Sequence, residues 1–254
     1  MNRKISIALL AAGLCVAASA FSPYENRLTC DRTTRVMLAT KARPEQAGKI
    51  AIELRKLTNP RAVRALRHLG IEHLAAFSKK PNEATLFFVY FDYSGKDYLQ
   101  AVKAFESIPE VKALAELLEP LPPAPRRGNV WLQLEWINYI HGAPVSGPPA
   151  NRFAMVTRIK PDREEEYRFL HQTTWPGIVD WMNRKGWRDF SIFLAEIDGE
   201  IYEFFYVEEV PSPNPTEDLD NDPTLKRWLK LTDPCQNPLP DADGTWSKMT
   251  SVIK

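Results

Sequence analysis

The sequence predicts an α+β fold in which two ferredoxin-like βαββαβ repeats pack within one chain as an intrachain dimeric α/β-barrel-like pseudo-dimer. The chain has 254 residues, of which 44% are hydrophobic, and this suffices for two domains with separate cores. An offset of 117 residues aligns identical residues of the two halves: Arg35 with Arg152, Thr40 with Thr157, and Pro44 with Pro161. Both halves also show the element order of the split βαβ motif, so we interpret the chain as a degenerate tandem duplication.

The first twenty residues have the composition of a secretory signal peptide. Arg3 and Lys4 precede an apolar run over residues 5–17, which is too short to span a bilayer. Ala18-Ser19-Ala20 then supplies the small residues that a signal peptidase requires. We therefore expect residues 1–20 to be removed and the protein to be exported, to a periplasm or out of the cell. A lipoprotein signal fits less well, because Leu14 stands where a small residue is needed before Cys15.

Charge and cysteine content narrow the function classes of the mature chain. Removal of the signal changes the formal net charge from +1 to −1, which offers no basic surface for nucleic acid. No later segment is long and apolar enough to span a membrane. Cys30 and Cys235 remain, and an oxidising compartment could pair them, so a disulfide stays an open alternative.

The first repeat is expected over residues 31–141. Its Val, Met, Leu and Thr content predicts a strand over residues 35–42. Pro44 opens a helix that is interrupted near Pro60 and ended by Gly70. The remaining elements are strands at 71–78 and 85–93, a helix at 97–118 and a closing strand at 130–140.

Residues 142–150, rich in proline and glycine, are the expected linker to a second repeat over residues 151–254. The predicted elements are a strand at 153–159, a helix at 162–185 interrupted at Trp175-Pro176, strands at 187–196 and 201–210, a helix at 224–231 and a closing strand at 245–253. Each repeat should form its own four-stranded antiparallel sheet with helices on one face. The two uncovered faces should then pack against each other.

A column of aromatic and titratable residues is the candidate site. Tyr167, His171 and Trp175 are spaced by four residues in a predicted helix, which places them on one face. The imidazole can transfer protons near neutral pH, and an aromatic wall suits the C–H face of a sugar. A lone helical histidine is more often structural. The first repeat, however, has Ile50 and Leu54 at the equivalent positions, so the polar pair indicates a site in the second repeat only.

Other site types find no support in the sequence. We see no metal-ligand spacing, phosphate-binding loop or nucleophile elbow, and we expect neither a metal nor a cofactor. All seven tryptophans lie at or after Trp131. Apart from Trp175 and Trp228, we expect them to lie away from the site, Trp131 and Trp246 as equivalent strand residues and Trp136, Trp181 and Trp187 in packing roles.

The second repeat resembles the L-rhamnose mutarotases over residues 152–253. The resemblance rests on Tyr-x3-His-x3-Trp-Pro at residues 167–176, Arg227-Trp228, Gln236-Asn-Pro238 and Trp246-Ser-Lys-Met249. It implies an aldose 1-epimerase of ferredoxin-like fold that acts on a monosaccharide without metal or cofactor. It also implies that His171 is the catalytic proton donor and that Tyr167 contacts the substrate.

Two departures from that family affect the expected pocket. Phe190 stands where the family usually has a tyrosine, and Leu229 follows Trp228 where the family usually has a tryptophan pair. We expect Tyr167, Phe190, Trp228, Leu229 and Trp175 to bind the substrate. The expected reaction interconverts the α and β anomers of L-rhamnose or a related 6-deoxy sugar, with His171 acting at an ordinary imidazole pKa of about 6.5.

Two alternatives stay open at this point: a non-catalytic exported sugar-binding protein, and an oxygenase-like member of the wider dimeric-barrel group. The oligomeric state is also open, because pairing within the chain can already cover both sheet faces.

Overall fold

The computed structural model describes residues 33–95, 97–121, 130–142, 147–212 and 215–253, and these form an α+β fold with two antiparallel sheets. The expected signal peptide and Cys30 lie outside the described residues, as do residues 143–146 of the expected linker. Cys235 is buried and forms no disulfide within the described residues. Within the described ranges, no helix has the length and hydropathy needed to cross a bilayer.

The elements of the first half follow the predicted order, with the long helices divided. They are β1 (Thr34–Ala42), α1 (Ala47–Arg55), α2 (Pro60–His68), β2 (Ile71–Lys79), β3 (Leu86–Tyr93), α3 (Tyr98–Glu106), α4 (Pro109–Lys112), β4 (Leu118–Glu119), β5 (Leu132–Gln133) and β6 (Glu135–Gly142). Each long helix is divided where a proline begins the next helix, at Pro60 and at Pro109. Pro60 begins α2, where the Asn59 side chain also accepts a hydrogen bond from the backbone N–H of Ala62 at 2.8 Å.

The second half follows the same order, except that its described residues hold no counterparts of α4 and β4. It comprises β7 (Asn151–Ile159), α5 (Glu164–Gln172), α6 (Pro176–Lys185), β8 (Trp187–Ile197), β9 (Glu200–Glu209), α7 (Pro223–Thr232), β10 (Ser247–Lys248) and β11 (Thr250–Ile253). Gly186 ends α6 with a positive φ of 79°. A Cβ there would lie 2.3 Å from the carbonyl oxygen of Val210, so the position requires glycine on both counts.

The closing strand of each half crosses to the sheet of the other half, which corrects the expectation that each repeat forms its own sheet. β6 pairs with β8, and β11 pairs with β2. The short strands β5 and β10, which precede β6 and β11 in the chain, pair with β1 and β7 of their own halves. The resulting orders are β11-β2-β3-β1-β4, with β5 also on β1, and β10-β7-β9-β8-β6. Without the exchange, β2 and β8 would be edge strands with unpaired backbone groups.

The two sheets pack face to face, and the helices cover their outer faces. Tyr90 stacks on Tyr206 with ring centroids 3.7 Å apart, and Phe88 packs on Phe204 at 4.5 Å, so aromatic pairs fill the space between the sheets. One further core lies between the first sheet and its helices, around Ile50. Another lies between the second sheet and α5–α7, and it contains the candidate site.

The strand registers show which positions of the two halves are equivalent. Thr40 of β1 lies opposite Phe87 of β3, and Thr157 of β7 lies opposite Glu203 of β9. Phe87 and Glu203 are therefore equivalent positions. An ion pair also occurs at equivalent positions of the two halves: Arg35 with Asp92 at 3.2 Å, where both residues are buried, and Arg152 with Glu208 at 2.9 Å, where Arg152 is partly exposed.

Candidate functional site

A cavity of about 210 Å³ lies between the second sheet and helices α5–α7. Its walls are mostly aromatic and aliphatic, which suits a ligand with apolar faces. The apolar lining residues are Ile140, Met155, Ile178, Trp181, Met182, Trp187, Phe190, Ile192, Phe205, Leu225, Trp228, Leu229 and Trp246. The polar lining residues are Tyr167, His171, Thr174, Glu203, Thr232 and Gln236.

Helix α5 presents Tyr167 and His171 to this cavity, one turn apart. Their rings lie 4.1 Å apart between centroids, and the exposed fractions are 1% and 7%. The end of the helix is held through the backbone carbonyl of His171. That carbonyl accepts hydrogen bonds from the Thr174 hydroxyl at 3.0 Å and from the side-chain amide of Asn138. Asn138 belongs to β6, so a strand of the first half supports the site in the second.

The His171 ring has a defined tautomer. Its Nδ1 lies 3.0 Å from the backbone carbonyl of Tyr167. A carbonyl oxygen only accepts hydrogen bonds, so Nδ1 carries the proton of the neutral ring and Nε2 carries the lone pair. Burial lowers the pKa of His171 to about 4, against a smaller opposing effect of that hydrogen bond. The ordinary pKa expected from the sequence is therefore wrong, and the ring is neutral at neutral pH.

Glu203 is a site residue that the sequence analysis missed. It is fully buried on β9 and accepts hydrogen bonds from the Tyr167 hydroxyl and from Nε2 of Gln236, the latter at 3.1 Å. Burial raises the pKa of Glu203 to about 8, and the two hydrogen bonds oppose this rise. Burial also raises the pKa of Tyr167 well above its usual value, so its hydroxyl stays protonated. The sequence does contain a signal for this residue. Glu203 is an acid among aromatic residues of a predicted strand, and the first half has Phe87 at the equivalent position.

Five of the six residues expected from the sequence line the cavity, namely Tyr167, His171, Phe190, Trp228 and Leu229. The Trp228 ring meets the His171 ring edge to face, with centroids 5.3 Å apart. Trp175 is not among the lining residues. It is half-buried behind Trp228, at 5.4 Å between centroids, where it supports the wall of the cavity.

Three tryptophans that the sequence analysis left out of the site line it. Trp181, Trp187 and Trp246 all face the cavity, so the packing role expected for the first two and the exclusion of the third are wrong. Nε1 of Trp181 donates to the Leu219 carbonyl at 2.8 Å. Nε1 of Trp187 and Oε1 of Gln236 are buried and find no hydrogen-bond partner among the described residues. One donor and one acceptor on residues that line the cavity therefore lack partners among the described residues.

The described part of the chain contains no set of side chains suited to bind a metal ion. Within those ranges, no group of three or more His, Cys, Asp and Glu side chains is arranged to hold a metal ion. In the cavity, Glu203 is hydrogen-bonded through both oxygens to Tyr167 and Gln236. The site is suited to proton transfer between a neutral imidazole, a phenol and a buried carboxyl group.

Comparison with known proteins points to one family. A sequence model for L-rhamnose mutarotase matches residues 152–254. An L-rhamnose mutarotase of Rhizobium johnstonii is 30% identical over 102 residues, which are 40% of this chain and 93% of that protein. Another, from Flavobacterium johnsoniae, is 28% identical over 104 residues, or 41% of this chain and 94% of that protein. The second half therefore aligns with nearly the whole length of these relatives.

A similarity among solved structures extends over both halves. The crystal structure of a provisionally named monooxygenase from Fusobacterium nucleatum aligns with 88% of this chain and 94% of its own. The identity is 12% and the TM-score is 0.48, and at these values no conclusion about function follows.

Proposed function

The chain belongs to the L-rhamnose mutarotase family, and from this premise we propose that it interconverts the α and β anomers of L-rhamnose or a related 6-deoxy sugar. The family assignment makes it an isomerase. The observation that carries the proposal is the Tyr167–His171 pair, in which a neutral imidazole lines an aromatic cavity and its Nε2 has no hydrogen-bond partner among the described residues.

The reaction requires ring opening and closure, and His171 is suited to the first proton transfer. Its Nε2 takes the proton of the anomeric hydroxyl while the bond between C1 and the ring oxygen breaks. The aldehyde carbon then rotates, and closure on its other face returns the proton. Tyr167, protonated and hydrogen-bonded to Glu203, orients the sugar oxygens. The role of Tyr167 agrees with the substrate contact that the family resemblance implies. His171 differs from the implied proton donor, because its neutral ring first accepts a proton and donates it only when the sugar ring closes.

The lining supports a sugar with an apolar edge. Tryptophan rings pack against C–H faces, and the methyl group of a 6-deoxy sugar suits the aliphatic positions such as Leu229. Nε1 of Trp187 and Oε1 of Gln236 are available for sugar hydroxyls. Phe190 offers no hydroxyl in a cavity with few polar groups, so the sugar need not be L-rhamnose itself.

Saturation-transfer NMR on a panel of 6-deoxy sugars tests this proposal. Pure protein should accelerate exchange between the anomers of at least one sugar well above the rate in buffer. His68→Ala, at an exposed helical histidine of the first half, is the matched control for His171→Ala. Absence of acceleration for every sugar would contradict the proposal.

A second candidate is a sugar-binding protein without catalysis. It is favoured by Phe190 and Leu229, which place apolar side chains where the family usually has a tyrosine and a second tryptophan. Calorimetry that detects tight binding of a sugar whose anomers do not exchange faster would establish this candidate in place of the enzyme.

Export and duplication complete the proposal. Residues 1–20 are a cleaved signal peptide, and the mature enzyme acts in a periplasm or outside the cell. Residues 31–141 are a degenerate scaffold copy joined by 142–150 to the mutarotase-like copy at 151–254. Equivalent strand registers and reciprocal closing strands support a tandem pseudo-dimer. N-terminal sequencing of the secreted protein tests the export, and a monomeric mass in solution tests the pseudo-dimer.

A further inference from the structure

We infer that Glu203 is the general acid of this site, protonating the sugar ring oxygen while Nε2 of His171 takes the proton of the anomeric hydroxyl. This inference rests on the proposed function, because it assigns the second of the two proton transfers that mutarotation requires. His171 alone starts as a neutral base and has no proton on Nε2 to give to the ring oxygen when the ring opens.

The surroundings of Glu203 are those of a carboxylic acid kept in its neutral form. Its side chain lines the cavity and is fully buried. Among the described residues it contacts no lysine or arginine, and its hydrogen-bond partners are the neutral groups of Tyr167 and Gln236. The other titratable groups nearby are His171 on α5 and the thiol of Cys235. A buried carboxyl group without a cation is more stable with its proton.

The hydrogen bonds of Glu203 leave that proton available. The Tyr167 hydroxyl and the Gln236 amide both donate to Glu203, one to each oxygen. Neither of them takes a proton from it in this arrangement. A protonated Glu203 can keep both of these donors and still carry an O–H, and its side chain lies at the wall of the cavity. Once the proton has left, the same two donors stabilise the carboxylate.

Comparison of the two halves shows that the core does not need a carboxyl group at the position of Glu203. At the positions of Tyr167, His171 and Glu203, the first half has Ile50, Leu54 and Phe87, all fully or almost fully buried in its apolar core. The same backbone framework thus folds with apolar residues at all three places. Burying a carboxyl group has a free-energy cost that a purely structural position avoids. The three polar residues occur together, which indicates a shared role in chemistry.

The protein environment shifts the two groups in opposite directions. Burial lowers the pKa of His171 to about 4 and raises that of Glu203 to about 8. At neutral pH the imidazole is therefore a base and the carboxyl group is an acid. Separation of this kind identifies the acid and base partners of an enzyme site.

The step balances without any further reactant. The anomeric O–H bond breaks and its proton goes to Nε2 of His171, while its electron pair forms the carbonyl π bond at C1. The bond between C1 and the ring oxygen breaks, and its electron pair takes the proton of Glu203. The products are the open-chain aldehyde, an imidazolium and a carboxylate. Closure on the other face of the carbonyl reverses every transfer and restores both groups.

The test compares Glu203→Gln and Glu203→Asp with the whole wild-type protein by anomer-exchange NMR across the pH range. Glu203→Gln keeps the size of the side chain but loses the acid, so kcat should fall by about 10²-fold or more. The change in KM should be much smaller, and Glu203→Asp should retain part of the rate. The wild-type rate should decline above about pH 8, and Glu203→Gln should lack this decline. Glu196→Gln, at an exposed position of β8, is the control.

The outcomes distinguish this inference from the proposed function. If the wild type is active and Glu203→Gln keeps its rate and its alkaline decline, the inference is overturned while the function stands. If no sugar reacts, infrared difference spectroscopy of the wild type against Glu203→Gln still shows whether Glu203 is protonated. A protonated carboxylic acid band at neutral pH, lost in the variant, supports a neutral Glu203. A carboxylate band instead overturns the assignment.

Discussion

Asn138 donates its side-chain amide to the backbone carbonyl of His171, and this hydrogen bond joins a strand of the first half to the proposed catalytic helix of the second. The same strand contributes Glu135, whose two carboxylate oxygens accept hydrogen bonds from Arg168 of α5 at 2.8 and 2.7 Å. The first half is therefore part of the support of the site, although it carries none of the proposed acid and base residues.

Replacement of Asn138 by alanine should weaken both stability and activity. Asn138 is almost fully buried, and the His171 carbonyl would keep only the hydrogen bond from Thr174. We expect the free energy of unfolding to fall by about 1–3 kcal/mol. A less firmly held imidazole should also lower kcat by about 10-fold. Chemical denaturation and anomer-exchange NMR measure the two effects. Asn221→Ala, at an exposed position, should change neither, and an unchanged Asn138→Ala would show that the contact is dispensable.

The acid limb of the pH–rate profile should report the lowered pKa of His171. Only the neutral ring has a lone pair on Nε2, so the rate should rise as the pH increases through about 4 and be complete well below neutrality. Measurement of kcat/KM between about pH 3.5 and 7 tests this. A limb centred near the ordinary imidazole pKa of about 6.5 would show that the ring is more hydrated than the structure indicates.

Glu203 should make the stability of the fold depend on pH. The folded state keeps the proton of Glu203 up to about pH 8, whereas the unfolded chain releases it near 4.5. Between these values the folded state binds more protons, so stability falls as the pH rises. The loss is about 3–5 kcal/mol across this window. Glu203→Gln should abolish this part of the pH dependence in denaturation curves. Parallel pH dependence in variant and wild type would contradict the buried neutral acid.

Phe190→Tyr should tighten binding if the substrate is L-rhamnose. Phe190 lines the cavity and stacks on Trp187 with centroids 6.1 Å apart, so the new hydroxyl would lie beside the ligand. One additional hydrogen bond should lower KM by about 3- to 10-fold with little change in kcat. Progress curves by NMR at several sugar concentrations measure this. An increase in KM for L-rhamnose would instead indicate a substrate with an apolar group at this position.

The sequence was sufficient to predict most elements because their signals are local. Proline at the first turn and the left-handed Gly186 define the ends of α6, and both lie where the sequence indicates. The pair Tyr167 and His171 was also predictable, since helical spacing alone brings residues four apart together.

No local pattern in the sequence predicted that β6 and β11 pair with the sheet of the other half. A closing strand of alternating residues looks the same whether it pairs with its own sheet or with the other one, and only the tertiary structure decides. Glu203 was missed for a related reason. Its role depends on Tyr167 and Gln236, which lie 36 and 33 residues away in the chain. The lowered pKa of His171 follows from burial, which a sequence pattern does not quantify.

Saturation-transfer NMR of L-rhamnose and its 6-deoxy relatives at neutral pH, with the wild type and His171→Ala, tests the central claim most directly. The account predicts that the wild type accelerates anomer exchange of at least one sugar and that His171→Ala loses about 10²-fold or more of that acceleration, while His68→Ala retains it. An exchange rate in His171→Ala equal to that of the wild type would contradict it.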